Sequence, residues 1–195
     1  MIHDIDLVLS LVGSEVVSVD AVGGTVFGPH EDMAHAHLRF ANGCVASLNA
    51  SRTSHQPQRR MHIYSDQAYA GIDFGDAKAT IVRPSDRLKQ GEIDIARLSA
   101  DEKQYVREHL FDEILPMEEV QVERRNAILD EQHDFVISIR SGQTPQVTGR
   151  QGRDALAVAA AILDKIAENR PSLPRFGAAD AAWSTQHEPP RRKAG

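Results

Sequence analysis

The sequence predicts an α+β domain, an open and mainly antiparallel β-sheet with helices packed on one face. From Met33 the residues alternate cleanly, with Ala34, Ala36, Leu38 and Phe40 on one face and Met33, His35, His37 and Arg39 on the other. That is the period of a half-buried strand. Asn42-Gly43 then joins this strand to a second one, and so short a connection leaves no room for the crossover helix of a parallel sheet. Apolar stripes at helical spacing stand near both ends of the chain: Ile5, Val8, Leu9 and Val12 first, and Leu156, Ala159, Ile162, Leu163 and Ile166 later. Such stripes need a surface to cover, and one face of the sheet supplies it.

Each element has its own local reason. The first helix covers the run from Ile2 to Val12, and Gly13 is its stop. Val16, Val17, Val19 and Val22 read as a strand, with the segment from Gly23 to Pro29 turning the chain. A two-residue turn at Asn42-Gly43 pairs Ala41 with Cys44, which sets His37 opposite Leu48, His35 opposite Ala50 and Met33 opposite Arg52. Residues 60–65, 69–74 and 79–82 read as three more strands. Between Pro84 and Pro116 the pattern becomes polar. Within it Ser99-Ala100-Asp101-Glu102 has the form of a capping box, so Tyr105, Val106 and Leu110 belong to one short helix. Val120 and Val122 alternate with charges as an edge strand does. A helix over 126–141 carries Ile128, Leu129, Phe135, Val136 and Ile139 and stops at Gly142. Thr148, helped by Gln151, caps the last helix, which Pro171 ends. The expected organisation is one domain over 1–170 with a variable insert at about 84–117, then a flexible tail over 171–195 that contains the lone Trp183.

Composition excludes several classes of function. A chain of 195 residues that is 41% hydrophobic can bury a core without disulfides or metals. Its net charge of −6 and scattered basic pairs, such as Arg59-Arg60 and Arg124-Arg125, argue against nucleic acid as a partner. The single Cys44 cannot form an internal disulfide, which favours a reducing compartment. No run reaches the length of a membrane span, and the N-terminus lacks the regions of a signal peptide. The expectation is a cytoplasmic protein with no membrane partner.

Few residues carry chemistry. His3 stands on the first turn of the first helix beside Asp4, within reach of a substrate hydroxyl or carbonyl if one docks there. Its alternative is an ordinary exposed side chain on a capped helix. Arg52, between Ser51 and Thr53, offers a bidentate clasp for a substrate carboxylate or phosphate, or is simply an exposed arginine at a strand end. His35 and His37 point to the same side of one strand and, with a third ligand such as His62, have the donor chemistry for a metal. The plainer alternative makes them polar residues of the sheet's second face. Cys44 has nothing near it in sequence to lower its pKa.

The run His3-Asp4-Ile5-Asp6 followed by an apolar helix resembles the opening of the C-terminal domain of the glucose-fructose oxidoreductase, inositol dehydrogenase and rhizopine-catabolism (Gfo/Idh/MocA) oxidoreductases. The end of the chain is similar to the end of that domain. It carries Asn126-Ala127-Ile128-Leu129 and Phe135, then Ser141-Gly142, Pro145-Gln146-Val147-Thr148-Gly149 and Asp154-Ala155-Leu156 in order. The resemblance implies a dihydrodipicolinate-reductase-like C-terminal fold and a sugar or polyol substrate. It also implies NAD or NADP as cofactor and His3 as a catalytic residue. In the family an Asp stands four residues before the His, which here lies upstream of Met1. A family member also needs a Rossmann unit with a glycine-rich turn for the dinucleotide pyrophosphate. Gly23-Gly24-Thr25-Val26-Phe27-Gly28 has the wrong spacing for that turn, and the family's Glu-Lys-Pro lysine is missing.

Three functions follow as expectations. The first is the substrate-binding and oligomerisation half of an NAD(P)-dependent sugar or polyol oxidoreductase. It would be inactive alone because its Rossmann partner is missing or separately encoded, and it would bind no cofactor by itself. The second is a stand-alone binding or assembly module, and the third a metal-binding protein using His35 and His37. Under the first two, the sheet face bearing Met33, His35, His37 and Arg52 joins copies into a homo-oligomer.

Overall fold

A computed structural model describes residues 1–26, 30–94 and 96–169. The tail expected over 171–195 lies outside the described residues. The chain divides into two compact units, one formed by 1–55 with the segment from 134 onward, the other by 56–133.

In the first unit, helix α1 (Ile2–Val12) ends at Gly13, whose left-handed φ of 59° lets its N–H donate to the Leu9 carbonyl. Strands β1 (Val16–Gly24), β2 (Met33–Phe40) and β3 (Val45–Ser51) form an antiparallel sheet in the order β1-β2-β3. The turn expected from Gly23 begins later, because Gly23 and Gly24 still pair with Ala34 and Met33.

The β2–β3 register differs by one residue from the expected one. His37 faces Ser47, His35 faces Asn49 and Met33 faces Ser51. The loop has three residues, not two. Gly43 takes a φ of 85°, its N–H donates to the Phe40 carbonyl, and the Cys44 N–H donates to Asn42 Oδ1 at 3.0 Å. Burial explains the choice. This register sets Leu48 against Ala36, both buried, whereas a slip by one residue would face Leu48 with an imidazole.

Helix α5 (Gly149–Asn169) packs on β1 and on α1, and α1 touches β3. Ile5, Leu38 and Ile166 are almost completely enclosed there, with Ala21, Ala36, Leu48 and Ile162 around them. Thr148 Oγ1 accepts from the Gln151 N–H at 3.3 Å, and Gln151 Oε1 accepts from the Thr148 N–H at 2.8 Å. That is the reciprocal cap expected from the sequence. Leu156 and Leu163, expected on the buried stripe, are instead exposed, and Ala155 takes an inward place.

The second unit holds the antiparallel sheet β4 (Arg60–Tyr64), β5 (Tyr69–Asp73), β6 (Lys78–Val82) and β7 (Met117–Gln121), in that order. Its connection from β6 to β7 is the polar insert. Helix α2 (Asp86–Lys89) precedes α3 (Ala100–Glu108), where Ser99 and Glu102 form a true capping box. A single π-turn over Leu110–Ile114 follows, and the Ser85 N–H donates to the Ile114 carbonyl to close the excursion.

Helix α4 (Ala127–Ser141) runs from the second unit into the first. Its stripe of Ile128, Leu129, Phe135 and Ile139 is exposed, each residue by 60% or more. The spacing identifies a face that needs covering, but it does not say which surface covers it.

Candidate functional site

Helix α1 presents His3 to solvent while Ile5 and Val8, 1% and 9% exposed, anchor the helix behind it. The helix start has no side-chain cap. The backbone N–H groups of Asp4 and Ile5 both donate to the Met1 carbonyl at 2.9 Å, and the Met1 ammonium lies 3.4 Å from Asp4 Oδ2. At the other end the Asn42 amide reaches the Val12 carbonyl, and Ser14 Oγ accepts from the Asn42 N–H at 3.2 Å. The imidazole of His3 makes no hydrogen bond to any described residue. A ring that is exposed, unpartnered and mounted on a fixed helix start is free to take a hydrogen bond from a ligand hydroxyl.

Arg52 follows the last residue of β3. Its backbone N–H donates to the Asp32 carbonyl at 2.8 Å, while the Asp32 carboxylate takes the Val26 N–H at 2.7 Å. Ser51 Oγ accepts from the Thr53 N–H at 3.1 Å, so the arginine sits at the middle of a tight serine turn. The guanidinium is exposed and has no partner among the described residues. Arg52 and His3 belong to the same unit, yet no hydrogen bond or ion pair joins them.

The histidine strand is a paired polar face. His35 Nδ1 lies 2.5 Å from Asn49 Oδ1, and His37 Nδ1 lies 3.0 Å from Ser47 Oγ. His62 sits on the other sheet and bonds the Tyr69 hydroxyl at 2.7 Å. Among the described residues no three His, Cys, Asp or Glu side chains are placed to hold a metal ion. Cys44 is exposed beside the hairpin turn.

Two clusters escaped the sequence reading. Tyr69 leans across Gly71, where a Cβ would meet its hydroxyl at 2.7 Å, and its ring lies 5.1 Å from that of Tyr64. The Gly71 position opposite His62 was the available signal, hidden by the lack of a register for these strands. In the insert, the Tyr105 hydroxyl donates to Glu113 Oε2 at 2.8 Å, and the carboxylate pushes the phenol's pKa up. The π-turn brings residues eight apart together, a spacing that regular helix periodicity does not reveal.

Antiparallel sheets with helices against them make an α/β domain, and the comparisons place it among oxidoreductase C-terminal domains. Residues 1–173 match the family described as "Oxidoreductase family, C-terminal alpha/beta domain", so the chain belongs to the Gfo/Idh/MocA oxidoreductases. It is 49% identical over 74 residues to UDP-N-acetylglucosamine 3-dehydrogenase of Acidithiobacillus ferrooxidans, a stretch covering 38% of this chain and 24% of that protein. The solved structure of that dehydrogenase superposes with a TM-score of 0.68 and 31% identity over 85% of this chain and 45% of that one. Levoglucosan dehydrogenase, solved with NADH and levoglucosan, shares the fold at a TM-score of 0.61 and 20% identity, with 86% of this chain and 46% of that one covered. The chain thus spans less than half the length of these relatives. Among the described residues no helix is long and apolar enough to cross a membrane.

Proposed function

We propose that this chain is the substrate-binding half of an NAD(P)-dependent oxidoreductase acting on a sugar or polyol, with residues 1–170 as its domain. The carrying observation is the unpartnered imidazole of His3 on the first turn of α1. The substrates named in the UDP-N-acetylglucosamine and levoglucosan dehydrogenases support a sugar hydroxyl as the group it meets.

The described residues do not fit the dinucleotide. The glycines with positive φ, Gly13, Gly43, Gly91 and Gly142, sit at helix ends and turns, and none links a strand to a helix N-terminus. A pyrophosphate cradle needs that link. On this reading the redox cofactor is held by a separate dinucleotide-binding half. What this chain's residues do is hold the substrate and handle a proton. His3 accepts a hydrogen bond from the hydroxyl that is oxidised and takes its proton, while Arg52 offers a fork of donors to an anionic part of the substrate. The open face of the first sheet joins copies of the protein.

The test fuses this chain behind the dinucleotide-binding half of the Acidithiobacillus relative. In that enzyme His3→Ala is expected to lower kcat by roughly 10²–10⁴-fold, the usual worth of a general acid or base. Thermal stability should hardly change, because His3 is exposed. An unaltered kcat with a raised KM would make His3 a binding residue only.

A second reading is a stand-alone assembly module, favoured by the same lack of a cradle beside an open sheet face. A fusion that stays inactive while the isolated chain still self-associates would select it.

A further inference from the structure

Strands β4, β5 and β6 build an aromatic shelf within the second unit. The register sets Tyr64 opposite Tyr69 and Val82 in one row, His62 opposite Gly71 and Thr80 in the next, and Arg60 opposite Asp73 and Lys78 in the third. Facing partners and alternate residues share a side of a sheet, so the three rows lie on one face. Gly71 leaves the middle of that face without a side chain, and Tyr69 lies across the space. Its hydroxyl meets His62 Nδ1 at 2.7 Å, and the planes of the two rings differ by only 19° with centroids 5.9 Å apart. Two rings nearly parallel and hydrogen-bonded at their edges make one continuous surface. Tyr64, 77% exposed, stands beside it with its ring 5.1 Å from that of Tyr69 and tilted by 43°. In the neutral imidazole the Tyr69 hydroxyl donates to Nδ1, so the ring proton sits on Nε2, on the other side of the ring. The Thr80 hydroxyl makes no hydrogen bond to a described residue. The cations of the face are neutralised: Arg60 Nε lies 2.7 Å from Asp73 Oδ2, and Lys78 Nζ lies 2.7 Å from Glu119 Oε1.

We propose that this shelf is a second ligand site, which takes the C–H face of a neutral pyranose ring over Tyr69 and His62 with Tyr64 as its side wall. A pyranose whose hydroxyls are all equatorial is apolar above and below and polar around its rim. Its C–H groups carry partial positive charge and suit the negative faces of the aromatic rings. The rim hydroxyls, donors and acceptors at once, meet the His62 Nε2–H and the Thr80 hydroxyl. A phosphate or a nucleotide calls for a free cation, and on this face Arg60 and Lys78 already hold carboxylates. The hydrogen bond between Tyr69 and His62 fixes both rings before a ligand arrives, which spares the cost of ordering them on binding. All of these residues belong to the second unit and His3 to the first, so the shelf does not rest on the role given to His3 above.

Aromatic proton–carbon NMR of the full chain, titrated with methyl β-D-glucopyranoside, tests it. The ring signals of His62, Tyr64 and Tyr69 should move together and saturate in the millimolar range. Tyr69→Ala should weaken binding by roughly tenfold, as the loss of a central aromatic contact does. Tyr64→Ala should weaken it as well, at a position so exposed that the fold does not depend on it, while Tyr64→Phe keeps the ring and should keep the binding. Ring signals that stay still while those of His3 move overturn the shelf and leave the role of His3 standing. Binding that is indifferent to both alanine variants overturns it too. Uridine or inorganic phosphate bound by the same rings roughly tenfold more tightly than the glucoside would overturn the assignment to a neutral sugar.

Discussion

Gly23 of strand β1 lies against Ile166 of helix α5. A Cβ there would stand 2.8 Å from Ile166 Cγ2 and 3.0 Å from the Met33 carbonyl oxygen. Because Ile166 is 1% exposed, it has little freedom to move aside. Gly23→Ala should therefore cost about 1–3 kcal/mol, the usual penalty of overpacking a dense core, as measured by urea unfolding. Ile166→Val in the same chain should return part of it, and a strictly additive double mutant would show that the two positions are not in conflict. At this scale the sequence was legible where a glycine ends a helix, as Gly13 and Gly142 do with their left-handed backbones. It was not legible at Gly23. A glycine that makes room for a side chain more than a hundred positions away looks in sequence like one that turns the chain.

At the scale of elements, strands β4 and β5 show how a pair is fastened at its edge. Arg60 faces Asp73 across the ladder, with Nε 2.7 Å from Oδ2, while the Gly75 and Asp76 N–H groups donate to Oδ1. The Arg60 hydrogen bond first, then the backbone donors, hold the Asp73 carboxyl below its ordinary value. A depressed carboxylate stabilises the fold above its unfolded pKa, and that contribution is lost as the pH falls through the folded value. The window is therefore acidic, below the ordinary aspartate range, and the effect on stability is small because the pair is exposed. Arg60→Ala should move the Asp73 titration upward in an NMR pH series, and an unmoved titration would mean that the backbone donors alone set it. Elements were the most legible scale. Helices α3 and α5 began where Ser99 and Thr148 placed them, since a cap is a contact between residues three apart. The hairpin register failed by one residue because Asn42-Gly43 suits a two-residue turn and a three-residue turn alike, and the burial of Leu48 decided between them.

For the whole molecule, the candidate residues sit at a helix start and at a strand end. His3 was read from its place on the first turn of the first helix, and its ring is exposed there. The group that would meet its ring was not legible, because no second polar side chain among the described residues is bonded to it. The exposed stripe of α4 and the leucines Leu156 and Leu163 of α5 likewise call for a covering surface. The last prediction concerns the dinucleotide. Binding a pyrophosphate requires several backbone N–H groups converging on it from a glycine-rich turn at a helix start. Helix α5 begins after another helix rather than after a strand, and the N–H groups of Thr148 and Gln151 at its start are already taken by the cap between those two residues. A net charge of −6 adds long-range repulsion to the anionic ligand. Calorimetry of the isolated chain with NADH or NADPH should therefore show no binding tighter than about 1 mM, below about 4 kcal/mol of affinity, whereas the fusion with a dinucleotide-binding half should bind one of the two far more tightly. Micromolar binding by the isolated chain would mean that residues outside the glycine-turn architecture hold the cofactor, and the assignment of this chain to substrate alone would fall.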